Sequence, residues 1–271
     1  MARRRPNNQF GTIEYIGPRP QAKKPQRKPA NFLGGWVVLM IAGFAVWHFG
    51  KPLVPLLRAQ QSVASQDAAD ILILDLAPSA EFGDRLASAA LQRTKKESVY
   101  DTDYYTISYP GGDLPPTGDG KLRGKAEDLI VRSYRNLGVD LQVLVHEDMT
   151  KNFSVYPQLW KRREPDANID HRMIQNLQRY FTHQGAELKK EGKVSRESGD
   201  YKPGDVVVWM LASGDLHCGI VVPGPGERKN EAWVVHDLGS GPKWENVLTD
   251  YQIHGHYRFT GVKHETETVE N

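Results

Sequence analysis

The sequence predicts an α+β domain, with helices first and an antiparallel sheet afterwards, preceded by one transmembrane helix. Three observations carry this. One uncharged apolar run stands near the N-terminus, helical periodicity runs from about residue 79 to 185, and four short runs rich in Val, Ile and aromatics follow residue 200. The length of 271 residues, 39% hydrophobic and 25% charged, suits one globular domain with appendages rather than two domains.

The formal net charge of +2 conceals an asymmetry. Residues 1–28 hold Arg3, Arg4, Arg5, Arg19, Lys23, Lys24, Arg27 and Lys28 against one acid, Glu14, so the remainder carries more acids than bases. Residues 29–50 (PANFLGGWVVLMIAGFAVWHFG) contain no Asp, Glu, Lys or Arg. At ~1.5 Å per helical residue that run matches a hydrocarbon layer of ~30 Å. Trp36 and Trp47 lie near its ends, and the Lys/Arg excess on its N-terminal side places the N-terminus in the cytoplasm and the C-terminal domain in the periplasm or beyond. The arm is longer than a signal-peptide n-region, the run is too long for an h-region, and no small-x-small site follows, so the segment reads as an anchor. A charge run beside a span is a topology signal, which removes nucleic acid as a partner. The single cysteine, Cys218, excludes an intramolecular disulfide.

Residues 51–77 read as a stalk, 78–262 as the domain and 263–271 as a polar tail. Ser79 is placed to cap a helix through EFGDRLASAALQRTK, with Phe82, Leu86, Ala89, Ala90 and Leu91 near one face. The Gly- and Pro-rich YYTISYPGGDLPPTGDGKLRG predicts a long loop. AEDLIVRSYRNLG predicts a second helix ended by Gly138, and HRMIQNLQRYFTHQG a third ended by Gly185. DVVVWML, HCGIVV, AWVVHDL and HGHYRFT are the strand candidates, separated by Pro, Gly and Asp turns.

The chemistry follows from this order: a loop delivers a helix N-terminus at residue 126, one strand carries His217 and the next carries His236. Papain-like enzymes place a cysteine at such a helix start, where the positive helix end favours the thiolate. A strand histidine takes the proton and a third polar side chain orients the imidazole. The segments YPGGDLP, GKAEDLIVRSYRNLGVDLQVLVHEDM, NFSVYPQLW, PDANIDHRMIQNL, KPGDVVVWML, LHCGIVV, VVHDLGSGP and GHYRF resemble, in order over about residues 95–259, the bacterial domain of unknown function 1287. The resemblance implies a papain-like fold related to the NlpC-type cell-wall peptidases, with peptidoglycan stem peptides as the substrate class. It implies residue 126 as nucleophile position, His217 as base and His236 as its partner.

The family reads G-x-C-T-D at the helix start, whereas this chain reads Gly124-Lys125-Ala126-Glu127-Asp128. A methyl group cannot attack a carbonyl, so the chain is expected to be inactive as written, either as an engineered Cys-to-Ala trap or as a natural pseudoenzyme. The alternative is an envelope scaffold that recruits a protein or a peptidoglycan fragment. Cys218 follows His217 on a strand and so faces the other way, as a small buried apolar residue. Asp237 is disfavoured as orienting acid for the same reason. Asp128, Asp113, Asp170 and His171 are candidates for substrate binding or the cleft: Asp128 suits binding backbone amides in the loop or lining the cleft equally, and Asp113, Asp170 and His171, which match family segments, also suit turn bracing as loop residues. Trp160, Trp209 and Tyr257 read as core or cleft wall. His146, Glu147, Asp148, His254 and His256 add possible ligands, but no metal-site spacing is present, and neither metal nor cofactor is expected.

Overall fold

The computed structural model describes residues 17, 36–44, 63–157, 162–188 and 200–261. Within the expected span, residues 36–44 are helical with exposed side chains, and residues 29–35 and 45–50 lie outside the described residues. So do residues 51–62 of the expected stalk, Trp160 and the expected tail, 263–271. Among the described residues no helix is long and apolar enough to cross a membrane.

The expected stalk is corrected over its C-terminal part, because Gln66–Leu76 is a helix, α1. Ser65 caps it by accepting from the Ala68 amide (3.2 Å). Ala69, Leu72, Ile73 and Leu76 recur at i, i+3, i+4 and i+7, and this stripe packs into the core. Next comes α2, Phe82–Arg93, with Leu86, Ala87, Ala90 and Leu91 fully buried. Ser79 is not its cap, since the helix starts two residues beyond the reach of that hydroxyl. Ser79 Oγ instead accepts from Glu81 N–H and donates to Asp84 (2.7 Å), bracing the approach.

A parallel pair follows, β1 Ser98–Tyr100 before the expected loop and β2 Leu122–Gly124 at its end. Then α3 runs Ala126–Arg135, burying Leu129, Ile130, Ser133 and Tyr134. Gly138 reverses the chain at φ 81°, a left-handed conformation that glycine adopts without strain. A helix beyond those expected follows as α4, Leu141–Asn152, capped by Asp140 and burying Leu141, Val145 and Met149 along one edge. A 3-10 turn at Asp170–Arg172 leads into α5, Ile174–His183, which Gly185 ends at φ 70°.

Five antiparallel strands follow: β3 Val206–Met210, β4 Leu216–Pro223, β5 Ala232–His236, β6 Lys243–Glu245 and β7 Gln252–Tyr257, ordered β6-β5-β4-β3-β7. The strand β6 adds to the four expected. Alternation sorts the sheet into two buried faces. Val206, Val208, Cys218, Ile220, Trp233 and Val235 join the helices in the main core, whereas Val207, Trp209, Val221 and Val234 meet Tyr201 and Leu248 on the other side. Each outer strand is joined at one point by another part of the chain. Val63 bridges to Glu245 beside β6, and Glu187 bridges to Tyr257 beside β7.

Candidate active site

Residue 126 opens α3, and the turn before it is built around Asp128. The Asp128 carboxylate accepts from the Lys125 amide (2.9 Å) and from Arg172 Nε (2.9 Å). Arg172, 2% exposed, also donates to the carbonyls of Asp101 and Asp103, so one buried guanidinium joins the helix start to the loop beside it. Gly124 sits at φ 149°, and a Cβ there would come within 2.8 Å of Asp128, so the bracket requires glycine. Asp128 is therefore a helix-start brace.

Ala126 is buried and lines a cleft of about 350 Å³ together with Tyr100, Lys125, Glu127, His217 and Asp237. Burial pushes the Glu127 carboxyl upward, and its partner Lys125 Nζ stands 2.7 Å away. Asp237, on the same wall, accepts from Ser98 Oγ and from the amides of Gly239 and Gly241, which fixes the loop after β5.

The histidines come from adjacent strands. Gly219 of β4 pairs with His236 of β5, which sets His217 diagonally across from His236 on the same sheet face. A Cβ at Gly219 would lie 2.6 Å from Val234 Cγ1 and 3.0 Å from His236 Cβ, so glycine leaves the room in which the imidazole reaches across. His217 Nε2 and His236 Nδ1 are 2.9 Å apart, and His236 Nε2 is 2.9 Å from Glu245 Oε2. His217, His236 and Glu245 thus form one hydrogen-bonded chain. The Glu245 carboxylate is held below its ordinary range by the hydrogen bond from His236. As an acceptor it requires the proton on His236 Nε2, so His236 Nδ1 accepts from His217 Nε2–H. Nδ1 of His217 is then the unprotonated nitrogen. Burial, with His236 adding to it, lowers His217 to about 3, which keeps the ring neutral at neutral pH. Trp209 stacks on His217 (5.7 Å, 15°), meets His236 edge-on (5.9 Å) and is anchored by Nε1–H to the Leu248 carbonyl (2.9 Å).

Cys218 faces the helices, is 1% exposed, and burial raises its thiol far above the usual range. The other candidates do not line this cleft. Burial alone would raise Asp113, but hydrogen bonds and the charge of Arg132 hold it low (Nη2 to Oδ1, 2.7 Å). Asp170 is fully buried and receives His146 Nδ1 (2.9 Å), Arg162 Nη1 (2.9 Å) and the Asp166 amide (2.8 Å); burial nevertheless raises it. His171 is buried, and burial followed by the charges of Arg135 and Arg172 lowers it to about 3. Among the described residues no three His, Cys, Asp or Glu side chains group as metal ligands, and His256 is committed to Asp205 (2.7 Å). Sequence reasoning missed Glu245 and the role of Trp209. Their signals were a three-residue strand too short to register and an aromatic directly opposite His217 in the β3–β4 register.

These features define an α+β domain in which a helix start and a strand-borne histidine relay share one cleft. Residues 87–259 match the family described as Domain of unknown function (DUF1287), and the chain belongs to it. It is 41% identical over 174 residues to the uncharacterized protein YijF of Escherichia coli (strain K12), a match covering 64% of this chain and 80% of that protein. Among solved structures it is similar to NlpC1 from Trichomonas vaginalis. That match has 14% identity and a TM-score of 0.33, and covers 67% of this chain and 45% of the other.

Proposed function

We propose that this chain is a membrane-anchored, extracytoplasmic relative of cysteine amidases and peptidases that act on peptidoglycan stem peptides, inactive as written because residue 126 is alanine. The observation that carries this reading is the cleft itself, where a helix start meets His217 backed by His236 and Glu245. A thiol at 126 would pass its proton to His217 Nδ1, and the thiolate would add to the amide carbonyl. His217 would then return the proton to the departing amine, and water would release the acyl group from sulfur. With Ala126 the same cleft holds a peptide without cleaving it.

Ala126→Cys tests this. The helix N-terminus and an imidazolium can lower a thiol from ~8.5 into the range where thiolate is abundant at neutral pH, and a thiolate at 126 would raise His217 from the low value it has beside alanine. The new thiol is expected to react with iodoacetamide at least about tenfold faster than buried Cys218, and adding His217→Ala should remove that advantage. Incubation with purified stem peptides, followed by mass spectrometry, should show fragment release that depends on both residues. If the introduced thiol labels no faster than Cys218 and releases nothing, the hydrolase reading is abandoned for the scaffold.

The anchor is a separate proposal, supported by the uncharged run of residues 29–50 and the basic arm before it. A periplasm-dependent reporter fused after Asn271 is expected to be active. An inactive periplasmic reporter with an active cytoplasmic one at the same site would reverse the orientation.

A further inference from the structure

The relay ends on Glu245, and Glu245 lies on the outermost strand β6. That strand has three residues and a single sheet neighbour, β5, so its backbone is the least supported part of the relay. On its open side the chain entering the domain is docked. Val63 stands opposite Glu245 in an antiparallel bridge, and the Ala64 amide donates to the Trp244 carbonyl at 3.0 Å. Ser65 then caps α1, whose buried Ala69 and Leu76 fix the segment from behind. Trp244 enters the core and donates from Nε1 to the Pro223 carbonyl (3.1 Å).

We infer that residues 63–65 form a strap that positions Glu245, so that the His217–His236–Glu245 relay is complete only while the segment leading into the domain is docked. This rests on the proposed reading of the relay, and it extends the site to backbone that lies outside the cleft. In sequence, residues 63–65 come directly before α1, at the start of the described part of the domain. Val63, Ala64 and Ser65 do not line the cleft, so their role is positioning.

The test uses the full chain carrying Ala126→Cys, with the iodoacetamide labelling rate of the introduced thiol measured against pH. Ala64→Pro removes the donor to Trp244, suits the extended residue before it and leaves the Ser65 cap intact. Glu245→Gln serves as the reference, because it removes the charge that polarises His236. Both variants are expected to raise the apparent thiol pKa by about one unit through the weakened imidazole partner, with Cys218 labelling unchanged. If Glu245→Gln shifts the profile and Ala64→Pro does not, the strap is overturned while the relay stands. If neither shifts it, the relay reading fails and the strap with it. If Ala64→Pro also accelerates Cys218 labelling, the segment holds the whole fold rather than Glu245, which overturns the positioning role.

Discussion

Asp205→Ala is expected to lower domain stability by about 3–5 kcal/mol, the usual cost of removing one partner from a buried charge network. Asp205 is fully buried, and its carboxylate accepts four hydrogen bonds: from His256 Nε2 (2.7 Å), Arg258 Nε (2.7 Å), Arg258 Nη2 (2.9 Å) and the Lys202 amide (2.8 Å). Burial alone would raise its pKa, but His256 and Arg258 reverse the shift and hold it low. This single side chain joins the turn before β3 to the end of β7. Alanine would leave the part-exposed Arg258 guanidinium to water and the Asp200 carbonyl, and His256, 4% exposed, without its carboxylate. For a domain of this size the loss corresponds to a fall in melting temperature of roughly 10 °C. Asp205→Asn keeps the shape and part of the bonding, and should fall between alanine and the parent. Calorimetry on the three chains decides it, and a shift below about 2 °C for alanine would show that the network contributes little.

Acid is expected to weaken the domain from pH 6.5 downward, before ordinary carboxylates titrate. His217 and His171 are each lowered from 6.5 to about 3 by burial. Between those values the unfolded chain binds two protons that the folded chain refuses, so stability rises with pH and is lost as pH falls. The slope approaches about 1.4 kcal/mol per pH unit for each histidine. Glu127 and Asp170 act in the opposite sense. Burial raises their folded pKa above the unfolded values of 4.5 and 3.8, so their contribution is present at low pH and is lost as pH rises through the folded pKa. They act from their unfolded values upward, so they offset part of the histidine slope, and the fall in stability between pH 6.5 and 5 should be smaller than two histidines alone would give. Urea midpoints at pH 7, 6 and 5 provide the measurement. His171→Gln, away from the cleft, should remove one proton's worth of slope. A midpoint that does not move between pH 7 and 5 would contradict the buried neutral histidines.

Much of the domain was legible because its periodicities were strong. The apolar stripe of α3 and the Val-rich runs of β3, β4 and β5 led directly to the observed elements, and Gly138 and Gly185 turn the chain where expected. Helix α4 is hard to read because its buried apolar residues form a narrow line, Leu141, Val145 and Met149, among polar neighbours. Helix α1 reads as stalk because three aspartates and exposed Ile71 and Leu74 obscure the stripe that packs inward. Within the site, strand alternation alone separated His217 from Cys218, and strand adjacency paired His217 with His236. Glu245 was beyond reach, because its partner is set by the β5–β6 register, a tertiary fact with no local trace. Asp113, Asp128 and Asp170 illustrate the converse. A carboxylate in a family segment gives no sign of whether it faces a cleft or an arginine, and here each meets an arginine: Arg132, Arg172 and Arg162.

The two margins of the five-stranded sheet bear on self-association. An open margin presents unpaired amides and carbonyls that another copy can join, and that hazard grows when chains are confined at high local density. Here the Ala64 amide meets the Trp244 carbonyl on one side. On the other, the Leu188 amide meets the His256 carbonyl and the Arg258 amide meets the Ala186 carbonyl. Part of each margin is therefore paired within the same chain, which shortens the edge that a neighbouring copy can join.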